Sequence, residues 1–226
     1  MSSTEIKKYD VVIAGGGMIG IAMALSLSSL DLKIAVVERI KRTSKEQPSF
    51  DDRSTALSRS SQNMFEAMGI WEKIKKASTP INKIHVSEKG HFGFSHICSK
   101  EQKVEALGYV IINRVLGEVM NSELENKENI KIFCPYEVES FSEGQTECYV
   151  SLKSHDKQKN KIEITSQLLI AASGANSGLH QLLGINSNVI NYQQDAIIGN
   201  VMTDIPIENR AFERFYSEGS IAFLPL

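Results

Sequence analysis

The sequence has little to offer metal or thiol chemistry. Cys98, Cys134 and Cys148 form an odd, scattered set without C-x-x-C spacing, which excludes a zinc knuckle or a dithiol redox pair and leaves buried structural thiols. The five histidines include no H-E-x-x-H, so no metal site is expected. No G-x-S-x-G elbow marks a serine hydrolase. A formal charge of −2 exerts no general pull on nucleic acid or anionic lipid. No apolar run approaches the roughly 18 residues of a transmembrane helix. The polar start, Met1 to Lys8, lacks the apolar core of a signal peptide, so a cytoplasmic location is expected. What remains is 226 residues, 42% hydrophobic and 23% charged, enough for one large domain or two small ones.

The informative stretch is Asp10-Val11-Val12-Ile13-Ala14-Gly15-Gly16-Gly17-Met18-Ile19-Gly20. A short apolar run, the pattern of a buried parallel strand, enters a turn with Gly15, Gly17 and Gly20 in G-x-G-x-x-G spacing. A helix is predicted over Ile19 to Leu30. A second apolar run, Lys33 to Val37, ends in Glu38. In a dinucleotide site Gly15 permits the tight turn, Gly17 lets the backbone approach a pyrophosphate, and Gly20 allows close packing of helix on strand. The helix N-terminus offers free N–H groups and a positive dipole end to phosphates. Glu38 can accept hydrogen bonds from ribose hydroxyls and disfavours a 2′-phosphate, so FAD or NAD fits better than NADP. The motif alone does not choose between FAD and NAD.

Further along, Ile40 to Asp52 is a polar loop and Arg53 to Met68 is expected to be helical, with Leu57, Met64, Phe65 and Met68 as core candidates. Arg53 is open to two readings: a solvated residue at a helix start, or a side chain reaching back over the nucleotide. Gly69 is a stop, followed by a turn of helix over Ile70 to Ile74. Ile81 to Val86 alternates as a strand; Gly90 to Gly93 turns the chain into a second strand near Phe94 to Cys98, a hairpin assigned to a second sheet. His91 is read as a turn residue in preference to a functional one. Leu107 to Ile112 forms a strand, and Asn113 to about Leu124 a helix. Arg114 at that helix start opposes the dipole; a nearby anion would relieve it, which makes Arg114 a candidate phosphate ligand. Ile130 to Phe133, Glu137 to Phe141, Cys148 to Ser154 and Lys161 to Thr165 read as successive strands, a meander with a hairpin loop over His155 to Asn160.

Leu168 to Ala172 is a compact apolar run like the first. It leads into Ser173-Gly174-Ala175-Asn176-Ser177 and a short helix through Leu179 and Leu183. Small residues after a buried strand again let a backbone approach a ligand. Strands are expected at Ala196 to Val201, Arg210 to Tyr216 and Ile221 to Leu224. The sequence stops inside this last apolar run, which gives the expectation of a truncated polypeptide.

Several segments together resemble the FAD-dependent aromatic hydroxylases related to p-hydroxybenzoate hydroxylase, in their ubiquinone-biosynthesis branch. They are Arg53-Ser54-Thr55-Ala56-Leu57-Ser58, Gly69-Ile70-Trp71, Ile84-His85-Val86-Ser87-Glu88-Lys89-Gly90-His91-Phe92-Gly93, Leu107 to Val110, Asn113 to Gly117 and Ala211 to Phe215. The resemblance implies an α/β fold: a Rossmann-like FAD-binding domain with a parallel sheet and a β-meander, plus a partial, mainly β substrate domain. The expected division is 1–79 and 106–185 for FAD, with 80–105 and 186–226 for substrate. Gly15, Gly17, Met18, Ile19, Gly20, Glu38 and Arg39 would hold the ADP half of FAD, with Arg53, Arg114, Val138 and Gly174 adding contacts.

The implied activity is monooxygenation of a polyprenyl phenol in ubiquinone biosynthesis. Reduced flavin, formed by NAD(P)H, reacts with molecular oxygen to give a flavin hydroperoxide that transfers one oxygen to the ring. Other ubiquinone-biosynthesis enzymes and a peripheral position at the inner membrane are further implications. No catalytic side chain stands out. In the family's second fingerprint this sequence has Ser173 where an Asp is usual, and His180 where a basic residue usually ends the motif; the third fingerprint lies beyond Leu226. The alternatives are a non-catalytic FAD-binding remnant and an NAD(P)-dependent dehydrogenase, for which the first βαβ unit would suffice.

Overall fold

The computed structural model describes residues 6–41, 50–156, 160–175 and 177–226. In chain order the elements begin β1 (Lys7–Ala14), α1 (Met18–Leu27), β2 (Ile34–Val37), β3 (Ser54–Ser58), α2 (Arg59–Ala67) and α3 (Trp71–Lys76). They continue β4 (Thr79–Ile81), β5 (Lys83–Glu88), β6 (Phe94–Cys98), β7 (Gly108–Ile112), α4 (Asn113–Glu125) and β8 (Ile130–Phe133). The last are β9 (Tyr136–Glu143), β10 (Cys148–Ser154), β11 (Ile162–Ala171), α5 (Leu179–Leu182), β12 (Arg210–Tyr216) and β13 (Gly219–Phe223). The expected loops over Ile40 to Asp52 and His155 to Asn160 fall partly outside the described residues, as does Asn176. Two compact units emerge, Met1–Phe50 with Met120–Ala196 and Asp51–Val119 with Ile197–Leu226. These units divide the chain at other points than the expected functional domains.

The first unit is built on a six-stranded sheet in the order β8-β2-β1-β11-β10-β9. The neighbours from β8 through β11 run parallel, and β9 and β10 continue antiparallel. This is a parallel sheet with an appended meander, as the sequence pattern implied. Val12, Ala35, Val37, Phe133, Val150, Leu152 and Ile164 are all buried in one cluster, which is why β1 and β2 read as uninterrupted apolar runs. Asn129 ties the loop after α1 by donating from Nδ2 to the carbonyls of Ser28, Leu30 and Leu32 at 3.2, 3.3 and 3.1 Å.

Two readings need correction here. Helix α1 stops at Leu27, short of Leu30, where the Ser28 hydroxyl takes the Leu25 carbonyl at 2.7 Å. The strands expected at Lys161 to Thr165 and Leu168 to Ala172 are one strand, β11. It pairs with β1 from Ile164 to Ala171 on one edge and with β10 from Ile162 to Ser166 on the other. Pairing on both edges at Ser166, and with β1 alone beyond it, carries the strand through the polar Ser166-Gln167 that broke the apolar pattern.

The second unit contains a three-stranded sheet, β3-β7-β4, and a four-stranded sheet, β13-β12-β5-β6. The segment expected to be helical from Arg53 divides in two. Ser54–Ser58 pairs antiparallel with Ile112–Gly108, and α2 begins only at Arg59, capped by the Ser58 hydroxyl accepting the Ser61 N–H at 3.2 Å. Cross-strand pairing overrides helix propensity there. Leu57 and Phe65 are buried as expected, whereas Met64 is 56% exposed. Ile81 to Val86 is likewise two strands broken at Asn82. Hairpin β5–β6 lies in the second sheet, as anticipated. No strand forms over Ala196 to Val201, because no neighbouring strand among the described residues offers it a ladder; Ile197 is fully exposed. The three cysteines are free and only partly buried. No helix among the described residues is long and apolar enough to cross a membrane.

Candidate nucleotide cleft

The turn after β1 is wedged between the ends of its two parallel neighbours. The Gly15 N–H donates to the Val37 carbonyl at 2.8 Å, and the Ala172 N–H donates to the Ala14 carbonyl at 2.8 Å. Gly15 has φ +117°, and a Cβ there would stand 2.4 Å from the Ala172 carbonyl oxygen. Gly20, one helical turn on, would bring a Cβ to 1.8 Å from the Gly15 carbonyl oxygen. The glycine is thus demanded by packing of helix on turn, a sharper constraint than the helix-on-strand contact read from sequence. Gly17 caps α1 in ordinary extended backbone, φ −75°.

Glu38, at the end of β2, is buried. Its Oε2 accepts the Gly16 N–H at 2.6 Å and its Oε1 accepts the Ile40 N–H at 2.7 Å. A Cβ on Gly16 would lie 2.8 Å from the Glu38 Cβ. The carboxylate therefore fastens the glycine turn to the end of β2. Each oxygen still has a second lone pair for another donor. The middle glycine of the triple was not singled out from the sequence; the signal was the uninterrupted Gly15-Gly16-Gly17 run, since G-x-G-x-x-G leaves its second position free.

Above this turn lies a cleft of about 770 Å³, entirely within the first unit, at the C-terminal ends of the parallel strands. That size lies within the usual range for ligand pockets. Gly15, Gly17, Met18 and Ile19 line one side, Glu38 and Arg39 a second, Val138 with Glu139 and Lys153 a third, and Ser173, Gly174 and Leu179 the last. Eight of the residues named from sequence are brought together here: Gly15, Gly17, Met18, Ile19, Glu38, Arg39, Val138 and Gly174. Gly20 supports the turn from behind. Lys153 was missed because it sits on β10, whose alternation gave no hint that pairing with Glu137 of β9 would bring it to the cleft.

Arg53 and Arg114 do not line this cleft; both belong to the second unit. Arg53 Nε pairs with Asp51 at 2.5 Å. Arg114 pairs with Asp52 at 3.0 Å and with Glu118 at 3.2 Å, and those hydrogen bonds hold its guanidinium above the usual arginine range. The anions that relieve Arg114 at the helix start include carboxylates of the protein itself. Asp51 is affected in turn. Burial pushes its carboxyl up, but hydrogen bonds from the Arg53 side chain and backbone and from the Asn113 amide leave it below the ordinary range.

The donor set fits a dinucleotide. Helix α1 has no side-chain cap and no acidic residue in its first turn, so its N–H groups and positive dipole end remain available to phosphate oxygens. The carboxylate at the second strand stands where a ribose would be met. No group of His, Cys, Asp and Glu side chains suited to a metal ion occurs among the described residues.

Comparison with known proteins bears on this geometry. The chain is 27% identical to the ubiquinone biosynthesis monooxygenase COQ6 of Dictyostelium discoideum, over 96% of its own length and 50% of that protein's. It is 27% identical to 3-demethoxyubiquinol 3-hydroxylase of Escherichia coli, over 96% of the chain and 54% of the enzyme. A crystal structure of a P. aeruginosa PqsL mutant superposes with a TM-score of 0.76 at 18% identity, covering 97% of this chain and 58% of that one. The chain spans about half the length of these curated relatives. Residues 8–220 match the family described as FAD binding domain, and the chain belongs to that family.

Proposed function

We propose that the cleft binds the ADP half of FAD and that the chain serves a flavin-dependent monooxygenase hydroxylating a polyprenyl-phenol ring in ubiquinone biosynthesis, with NAD(P)H as reductant and molecular oxygen as co-substrate. One observation carries the reading: an uncapped helix N-terminus, a glycine turn locked by Glu38 and the Ala172 to Ala175 segment after β11 converge on one cleft at the strand ends. The names of the relatives supply the phenolic substrate class. FAD, when bound, supplies the redox chemistry that activates oxygen.

In this reading the chain's own residues bind and orient. Backbone N–H groups at Met18 and Ile19 receive the pyrophosphate, and Glu38 accepts ribose hydroxyls on its remaining lone pairs. Val138 and Arg39 flank the adenine end, and Gly174 leaves room at the far turn. Gly20 holds the helix close beneath. By the family resemblance Arg53 and Arg114 add contacts to FAD, within the functional division 1–79 and 106–185 for FAD, and 80–105 and 186–226 for substrate. A peripheral membrane location and association with other ubiquinone-biosynthesis enzymes extend the same proposal.

A second reading, a flavin-binding module without turnover, draws on Ser173. Its hydroxyl donates to the Ser177 hydroxyl at 2.7 Å, so the turn closes on itself where the family usually carries a carboxylate. The deciding experiment adds FAD to the purified protein, removes the excess and records the visible spectrum. A retained flavin band near one per chain, followed by phenol-dependent NAD(P)H oxidation, supports the monooxygenase. A retained band without turnover supports the module. A colourless protein overturns both.

A further inference from the structure

The wall of the cleft formed by β9 and β10 carries two carboxylates, Glu137 and Glu139, and one cation, Lys153. Lys153 stands directly opposite Glu137 in the antiparallel ladder, and Ser154 opposite Tyr136. The His155 N–H continues that register by donating to the Pro135 carbonyl at 2.9 Å. Side chains two apart on a strand share a face, so Glu137 has Lys153 across from it and His155 on the diagonal. Opposite charges facing each other across an antiparallel pair attract. Glu137 nevertheless takes the diagonal partner, with its Oε2 3.1 Å from His155 Nε2. That contact needs no charge on the imidazole, since a neutral ring protonated at Nε2 is also a donor there.

Glu139 is drawn aside in the same way. The register shifts between Ser151 and Leu152, so no residue of β10 stands opposite it, and its Oε2 meets Lys161 Nζ at 3.1 Å. Neither His155 nor Lys161 lines the cleft. Both acids of the wall are therefore tied to groups outside it. Lys153 itself has no ion-pair partner among the described residues. The wall thus keeps its acids occupied and leaves one ammonium, with three donors and no acceptor, for a ligand. Val138, the neighbour of Glu137 and the ladder partner of Leu152, puts Lys153 at the end of the cleft assigned above to adenine.

We propose that Lys153 is a hydrogen-bond donor to the adenosine half of the dinucleotide, and that the His155–Glu137 pair keeps it available for that contact. This deepens the flavin reading and rests on it for the ligand. Adenine ring nitrogens and ribose oxygens are the acceptors that the ammonium meets. Without His155, Glu137 is free to turn to the residue opposite it. The Lys153–Glu137 pair that then forms competes with the ligand for the same donors. No covalent bond is made or broken; the pair acts on affinity alone.

FAD binding to the intact chain is followed by quenching of flavin fluorescence, and ADP is then used to displace the bound FAD. K153M keeps the apolar stem and removes the donors. It is expected to weaken FAD and ADP alike, about tenfold, the scale of one hydrogen bond from a charged group. H155A is expected to weaken both about threefold, a smaller loss because an exposed pair is screened by water. E137Q is expected to bind at least as tightly as the parent, and H155A combined with E137Q to recover what H155A alone loses. A histidine that only held the end of β10 in place would give no such recovery. Urea midpoints of the four variants separate a folding defect from a lost contact. FAD affinity unchanged in K153M, a K153M loss for FAD but not for ADP, H155A binding as tightly as the parent, or no recovery in the double variant each overturns the proposal while the flavin reading stands. A parent chain that binds neither FAD nor ADP defeats the flavin reading and this proposal with it.

Discussion

A carboxylate whose two oxygens are each taken by a backbone N–H cannot be exchanged for an amide without leaving one donor facing another. Glu38 is in that position between Gly16 and Ile40. E38Q has the right size but one acceptor oxygen, so it is expected to cost ~1–3 kcal/mol of stability, the scale of a buried unsatisfied donor. Urea unfolding without any cofactor measures this directly, and a cost near zero would mean the turn is held by other contacts. Gly20 makes a steeper case. A methyl group 1.8 Å from the Gly15 carbonyl has no flexible neighbour to yield, since the obstacle is backbone. G20A is expected to lose about 3 kcal/mol by overpacking and to displace the turn from the cleft, so flavin retention should fall together with the urea midpoint.

Among the elements, α2 shows how a single hydroxyl decides where a helix begins. Ser58 ends β3 and accepts the Ser61 N–H, so S58A is expected to destabilise the second unit by ~1 kcal/mol, read as a shifted denaturation midpoint. The loop before β3 adds a pH dependence. Asp51 has a folded pKa below its ordinary value, so its contribution is fully present above the unfolded carboxylate range, about 3.9, and is lost as pH falls through the depressed folded value. The parent chain should therefore lose stability relative to D51N on acidification, by a small amount because the pair is exposed.

These elements also show what the sequence could carry. Strand β1, the glycine turn and β2 were legible because apolar runs, glycine spacing and a terminal acid each follow from burial on both faces and close approach to a ligand. Ser54–Ser58 was not, because its state depends on a partner over fifty residues away; the polar Ser166 hid the continuity of β11 for the same reason. Lys153 joined the cleft through sheet register, which no local pattern encodes. Arg53 and Arg114 stood out as cations at element starts, but their carboxylate partners become visible only when Asp51 and Asp52 are folded against them.

At the scale of the whole molecule, the cleft is confined to one compact unit while the two arginines belong to the other. A ligand that binds only the folded state stabilises what it touches, by ~2.7 kcal/mol at a hundred times its dissociation constant. Amide hydrogen exchange with and without FAD separates the two units. Protection is expected over β1, the first turn of α1, β2 and the end of β11, since their backbone forms the cleft. If the cofactor engages only these residues, exchange in β3 and in the first turn of α4 will not change. If Arg53 and Arg114 contact it, as proposed, protection will extend to Ser54–Ser58 and Asn113–Gly117, and R114Q will remove that extension while the protection of β1 and β2 remains. Protection confined to the first unit in the parent chain would take both arginines out of the cofactor site and leave Glu38 and the glycine turn as its polar framework.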